Sequence, residues 1–344
     1  MPLDERKKKI LEAIINEYIL TVEPIGSRTI AKKYDLGISP ATIRNEMADL
    51  EEMGYIEQPY TSAGRIPSDK GYRYYVNNII ENYLSETYLK DIELFDQMLV
   101  EIDDIVKKFA KFLSDRTKHT IVVKMPKIDE NKIKRVQIIP VDSKKIVLLI
   151  ITESGIIKNY LINLSMEIDC NNMEFLNNLL NDKLAGKNER DMDNNLKNEI
   201  KSWSRNAEFL IDEITNGIIK SLGQIEDIEL YIEGSSNILN FPEYRDMIKA
   251  KNFFELLGNR DIMNTVLEPE QDILDVTIGS ENKFDNMKDL SIIKATYLIN
   301  EEIAGSLGII GPTRMNYFKL LNEINVIAKE LSYVLSNIYR NTER

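Results

Sequence analysis

Ser39-Pro40-Ala41-Thr42-Ile43-Arg44-Asn45-Glu46-Met47-Ala48-Asp49-Leu50-Glu51-Glu52-Met53-Gly54 carries a full set of helix signals. Serine caps a helix start, proline is tolerated at the first helical position, and glycine is a natural C-terminal stop. At about 100° per residue, Ile43, Met47 and Leu50 share one face, with Ala41, Asn45 and Ala48 opposite, flanked by Thr42 and Arg44. That front is small, polar and singly basic. Small residues allow close approach to a major groove, while Arg can read guanine and Asn adenine. Asp49, Glu51 and Glu52 fall toward the far end. An ordinary surface helix shares the pattern, so the neighbouring segments decide between the two readings.

Upstream, Ile10, Leu11, Ile14, Ile15, Tyr18 and Ile19 recur at helical spacing and predict a first helix ending before Glu23-Pro24. Ser27 is the expected cap of a short helix Arg28–Tyr34, and Asp35-Leu36-Gly37-Ile38 a turn, which makes the whole a helix-turn-helix. Downstream, Tyr55–Gln58 reads as a strand, Pro59–Arg65 as a turn and Arg65-Ile66-Pro67 as a second strand, a wing. Ser68 then caps a helix with Lys70 and Arg73 in its first turns. Arg44, Arg65 and Lys70 or Arg73 are thus cations from three elements, available to one duplex. Tyr74 and Tyr75 are expected in the core, and Tyr72 is left open.

The composition narrows the function. The 344 residues imply two or three cores, and 43% hydrophobic with 29% charged residues is a soluble globular composition. No stretch approaches the roughly 20 apolar residues of a membrane span, and the amino terminus lacks an apolar signal core, so a cytoplasmic protein without membrane contact is expected. The net charge of -12 is uneven: residues 1–78 hold 11 Lys/Arg against 12 Asp/Glu, a near-neutral island in an acidic chain. One cysteine, Cys170, and one histidine, His119, leave no disulfide, no ordinary zinc site and no cofactor signature, and would route every histidine-dependent mechanism through His119. Its place before Ile121-Val122-Val123 marks it as a structural or solvated residue near a strand edge. Walker and G-x-G-x-x-G sequences are missing, and the S-x-x-K matches at Ser280 and Ser291 fall in strand-like contexts. No catalytic or metal residues are assigned.

Beyond the wing, Leu94, Phe95, Met98, Leu99, Ile102, Ile105, Val106, Phe109 and Leu113 predict a connecting helix within 78–117. A strand at Thr120–Lys124 follows, then a meander of Arg135–Val141, Lys145–Thr152 and Ile156–Leu164. Helices fill most of 171–222, whose Trp203, Phe209, Leu210, Ile214, Ile218, Ile219 and Leu222 suggest a surface shared between subunits. Strands are expected at Ile228–Ile232, Ile273–Gly279, Ser291–Leu298 and Ala304–Ile310, helices between 242 and 266, and a closing helix Tyr317–Tyr339. Gly308, Gly311, Pro312, Thr313 and Arg314 form the outstanding distal turn: either a ligand contact, or a turn whose arginine pairs with an acidic neighbour or another subunit.

Glu23–Ile30, Ser39–Gly54 and Gln58–Tyr75, with Ile232–Tyr244, Thr277–Asn282 and Gly308–Tyr317 further on, resemble the HrcA family of heat-inducible transcription repressors. The likeness spans the chain, is weakest across roughly 165–225, and departs at Tyr60, where histidine is expected. It implies an α+β protein: a winged helix-turn-helix DNA-binding domain at 1–77, a GAF-like antiparallel-sheet domain at 78–129 plus 226–344, and an inserted α+β dimerisation domain at 130–225. It also implies a negative regulator of chaperone operons that acts as a homodimer on double-stranded DNA bearing an inverted repeat, the CIRCE element. Activity is lost on heat stress and supported by a GroEL-type chaperonin. On this reading Ser27, Arg28, Thr29 and the wing residues Thr61, Ser62 and Arg65 hold phosphates, Ala41, Thr42, Arg44 and Asn45 reach base edges, and Ser39, Lys70 and Arg73 complete the DNA-binding set. Two rivals are a metabolite-responsive winged-helix regulator with an effector pocket in the GAF-like domain, and an enzyme with an accessory DNA-binding module. The second would need a glycine-rich nucleotide loop, which is not found.

Overall fold

A computed structural model describes residues 3–61, 63–82, 102–125, 132–152, 157–165, 167, 173–188, 191–192, 194–203, 211–219, 230–270 and 273–342. Ser62, Cys170, Phe209, Leu210, Leu222 and the 83–101 part of the expected connecting helix lie outside the described residues.

The amino-terminal head comprises α1 (Glu5–Thr21), α2 (Ser27–Lys33), α3 (Pro40–Glu52), β1 (Ile56–Glu57), β2 (Ile66–Pro67) and α4 (Asp69–Asn82). Asp4 caps α1 by accepting the Lys7 N–H at 2.8 Å, and Ser39 caps α3 by accepting the Thr42 N–H at 3.1 Å. Gly54, at φ +77°, takes the left-handed turn that closes α3. The second helix differs from expectation. Ser27 is its first residue and Gly26 stands at the cap, where the Gly26 carbonyl accepts from Thr29 and Ile30 and no side chain is used. The wing strands are shorter than expected, pairing only Ile56 with Pro67 and Glu57 with Ile66, because Pro67 supplies no N–H to extend the ladder. Ile25 adds a single antiparallel bridge to Arg65, so the segment before α2 forms a third edge of the wing.

The body follows as α5 (Ile102–Thr117), β3 (Thr120–Lys124), β4 (Ile133–Asp142), β5 (Lys145–Thr152), β6 (Ile157–Asn163), α6 (Met173–Leu184), α7 (Asn194–Trp203) and α8 (211–219). Then come β7 (Leu230–Glu233), two 3₁₀ turns, α9 (Met247–Gly258), α10 (Arg260–Val266), β8 (Leu274–Ile278), β9 (Leu290–Ile299), β10 (Glu302–Pro312) and α11 (Tyr317–Thr342). A five-stranded antiparallel sheet in the order β7-β3-β10-β9-β8 takes β3 from before the meander and the rest from after it. One of its faces carries Ile121, Val123, Ile293, Leu307 and Ile309 against Phe109, Leu113, Leu320 and Ile324 of α5 and α11. The other carries Val122, Ile292 and Ile310 against Phe253, Leu256 and Met263 of α9 and α10. Burial on both faces explains why β9 and β10 read as nearly continuous apolar runs.

The meander β4-β5-β6 has its own core, in which Val136, Ile138, Ile146, Leu148 and Ile150 meet Leu176 and Leu180 of α6 and Ile214 and Ile218 of α8. The latter two isoleucines, expected at a subunit surface, therefore lie inside. The outward apolar side chains sit instead on the opposite face of the sheet: Ile139 on β4, Ile157 and Leu161 on β6, with Val147, Leu149 and Ile151 half-buried between them on β5. The free edge of β4 is closed by α6. Asn181 accepts from Val136 N–H (2.9 Å) and donates to its carbonyl (2.7 Å), and Asn177 does the same for Ile138 (2.7 and 3.2 Å).

Candidate nucleic-acid interface

On α3, Ile43, Met47 and Leu50 are buried against α1 and α2, which leaves Ala41, Arg44, Asn45 and Ala48 exposed on the outer face, as the periodicity predicts. Thr42 is half-buried, its hydroxyl 3.0 Å from that of Ser39. Arg44 and Arg28 have no ion pair among the described residues. The acidic side chains of α3 are handled differently. Glu46 receives Lys7 at 2.7 Å and Arg6 at 3.2 Å, Asp49 receives Lys7 at 3.0 Å, and Glu51 receives Arg65 at 2.7 Å. Hydrogen bonds from Lys7 to Glu46 and then Asp49 hold its ammonium pKa well above the ordinary lysine value. The result is a helix whose outward face keeps one uncommitted cation while three of its four carboxylates are matched from behind. The clamp from Arg6 and Lys7 is not visible in the sequence, because its partners are 39 and 40 residues apart and belong to no periodic pattern.

The other expected cations do not join Arg44. Arg65 is turned onto Glu51, with its Nη1 also near the carbonyls of Ala63 and Gly64. Lys70 remains exposed, yet its Nζ donates to the Met53 carbonyl at 2.7 Å and stands 4.5 Å over the Tyr55 ring. Arg73 points away to the body, where its Nε donates to Glu281 at 2.7 Å and its Nη2 to Glu281 and the Val276 carbonyl. The convergence of three cationic elements is corrected accordingly: the wing and α4 arginines are structural in this arrangement, and α2 and α3 carry the head's arginines that have no ion pair among the described residues. Thr61 is exposed, Ser27 and Thr29 are half-buried, and Arg28 is exposed on α2. Of the tyrosines, Tyr75 is buried and gives its hydroxyl to Asn16 at 3.0 Å; burial pushes its pKa up to about 12. Tyr74 is half-buried, and Tyr72 proves fully internal, 5.6 Å from the Tyr317 ring.

Among the distal candidates, Arg314 resolves as a pairing residue. Its Nε and Nη2 donate to Glu243 at 2.6 and 3.2 Å, and its Nη1 donates to the Ile19 carbonyl at 2.8 Å in the last turn of α1. Burial pushes the Glu243 pKa up, but the Arg314 hydrogen bonds, a backbone hydrogen bond and the charges of Arg314 and Lys249 together outweigh it, and the net shift is downward. In the domain expected to offer an effector pocket, one face of the five-stranded sheet is crossed by the chain itself. Lys124 donates to Glu268 and the Asn264 carbonyl, Lys294 to Glu270 and the Glu268 carbonyl, Ser306 to the Leu267 carbonyl, and Thr296 to the Glu270 carbonyl. His119 is buried rather than at an edge. Its Nδ1 lies 2.7 Å from the Thr117 carbonyl, and burial lowers its pKa from 6.5 to about 4, so the ring is neutral and structural at physiological pH. Among the described residues no His/Cys/Asp/Glu group is arranged to hold a metal ion, and no helix is long and apolar enough to cross a membrane.

Two family models divide the chain: one described as a winged helix-turn-helix transcription repressor, HrcA DNA-binding, matches residues 2–79, and one described as the HrcA protein C terminal domain matches 103–321. The heat-inducible transcription repressor HrcA of Thermoanaerobacter sp. (strain X514) is 58% identical over 341 residues, 99% of each chain. That of Clostridium acetobutylicum is 42% identical over 335 residues, 96% of this chain and 97% of its own. A crystal structure of a hypothetical protein, solved at 2.2 Å, superposes with a TM-score of 0.70 over 98% of this chain and 100% of that one, at 24% identity, and so supports the fold. With its outward-facing α3 and both matched segments in place, the chain belongs to the HrcA family of heat-inducible transcription repressors.

Proposed function

We propose that the chain acts as a homodimer that lays its two α3 helices on the arms of an inverted-repeat operator of the CIRCE type, ahead of chaperone operons. Arg44 and Asn45, with Ala41 and Thr42 beside them, contact base edges, while Ser27, Arg28 and Thr29 hold phosphates. The observation that carries this reading is the electrostatic construction of α3: Arg44 is outward and has no ion pair among the described residues, and Glu46, Asp49 and Glu51 are each neutralised by a cation from another segment. In a chain of net charge -12 such local matching is what lets one face approach polyphosphate. The outer face of the β4-β5-β6 sheet supports the dimer reading. Among the described residues it carries Ile139 on β4, Val147, Leu149 and Ile151 on β5 and Ile157 and Leu161 on β6, interspersed with Arg135, Gln137 and Asn159, and the β4 edge that would otherwise recruit a strand is closed by Asn177 and Asn181.

Heat acts on this repressor through its own stability. Native proteins stand only about 5–15 kcal/mol above their unfolded states, so modest heating depletes the active population and a GroEL-type chaperonin restores it. An anisotropy titration on an inverted-repeat duplex at several salt concentrations tests the binding. Expected are tight binding of the inverted repeat, weaker binding of an isolated arm and a negative slope of affinity on salt. Equal affinity for scrambled DNA refutes the reading. Heating should lower operator occupancy and added chaperonin raise it.

A further inference from the structure

Arg73 and Glu281 are 208 residues apart in sequence, and Arg314 and Ile19 are 295 apart, yet these pairs bind the head to the body. The first attachment is on α4. Arg73 forks onto Glu281 and reaches the Val276 carbonyl, and one helical turn earlier Asp69 accepts the Ser280 N–H at 2.8 Å. The turn that receives them is fitted to Asp69: Gly279 adopts φ +50°, and a Cβ there would overlap the Asp69 carboxylate. The second attachment is on α1, whose last turn has no basic residue of its own; Arg314 supplies that charge from the body and caps the Ile19 carbonyl. Between them Tyr72 packs against Tyr317, inside an apolar cluster continuous through head and body. Fixing the head through two helices resists both translation and rotation, which one contact does not.

We propose that this joint, with Glu281 as its positioning residue, sets the spacing between operator half-sites that the dimer accepts. The inference rests on the inverted-repeat reading above. Each added base pair shifts a half-site by about 3.4 Å and turns it by about 35°. Heads on loose tethers absorb such a change, whereas docked heads lose simultaneous engagement, and with it an avidity of about 10²–10⁴-fold. Glu281 is on the body, away from α3, so its substitution leaves the DNA-reading face intact.

The test measures the full-length repressor on its operator, on operators with the spacer lengthened by two and by four base pairs, and on a single half-site. For the unaltered protein, affinity should fall at least about 30-fold on the lengthened spacers. For Glu281→Lys the same comparison should give about threefold or less, with half-site affinity and salt slope unchanged. Combining Arg73→Glu with Glu281→Arg should restore discrimination on the inverted repeat. Glu281→Gln, a milder change assayed below its melting transition, separates a loosened joint from an unfolded chain. Discrimination in Glu281→Lys and Glu281→Gln equal to that of the parent overturns the role of the joint. An unaltered repressor indifferent to spacer length overturns it as well, and one indifferent to the inverted repeat overturns the underlying reading instead.

Discussion

Arg44 faces solvent without an acidic partner among the described residues, whereas Arg65 and Arg73, equally cationic in the sequence, are neutralised by Glu51 and Glu281. That difference fixes where a substitution should be felt. Arg44→Ala is expected to cost about 1–3 kcal/mol of operator affinity and to relax preference at one base position, checked by titrating operators carrying each base there. Uniform weakening across sequences would make Arg44 a phosphate contact. His119 calls for a different measurement. Its folded pKa of about 4 lies below its ordinary 6.5, so the unfolded chain binds the extra proton first. The stabilisation is complete above pH 6.5 and is lost as pH falls through about 4, a contribution of about 3 kcal/mol. Urea unfolding of the parent and of His119→Phe between pH 7 and 4 should show their stability difference shifting in favour of the variant as pH drops; a constant difference contradicts this.

At the scale of elements, α1 is both a core helix and a back-support for α3. Its inner face buries Ile10, Leu11, Ile14 and Ile15, while Arg6 and Lys7 neutralise Glu46 and Asp49. Lys7→Met is expected to reduce operator affinity about three- to tenfold by leaving Asp49 unpaired near DNA. It should cost only about 1 kcal/mol of stability, since a partly exposed ion pair contributes little. Anisotropy and denaturant titrations run in parallel check both parts, and unchanged affinity would remove α1 from DNA binding. How far the elements were legible follows from the same physics. Caps and periodicity are local, so Ser39, Pro40 and Gly54 delimit α3, and the apolar runs place β3 and β5 at the observed residues. Long-range pairings are not local. Arg73 in the first turns of a helix after a wing looks like a phosphate contact until the tertiary fold presents Glu281, and Tyr72 stays ambiguous until Tyr317 is packed against it. Ile214 and Ile218 looked like surplus surface because helix periodicity cannot show that a three-stranded sheet covers them.

For the whole molecule, the distribution of apolar surface assigns different work to the two sheets. The five-stranded sheet is covered on both faces, by α5 and α11 on one side and α9 and α10 on the other. Among the described residues the three-stranded sheet is covered on one face only, and Leu161 on the other is 61% exposed and lies opposite Val147 in the ladder. A second copy applied to this face would bury matching β-branched and leucine side chains, and a stable pair needs about 800 Å² from each partner. Leu149→Lys with Leu161→Lys places two charges on the apolar face without touching the inner core. The expected outcome is a monomer by light scattering at micromolar concentration, single-arm affinity retained, and operator affinity reduced about 10²–10⁴-fold through loss of avidity. Because α3 is unaltered, the salt slope on a single arm should match that of the parent. A variant that stays dimeric would move the subunit contact to another surface, and one that turns monomeric while keeping full operator affinity would separate dimerisation from DNA recognition altogether.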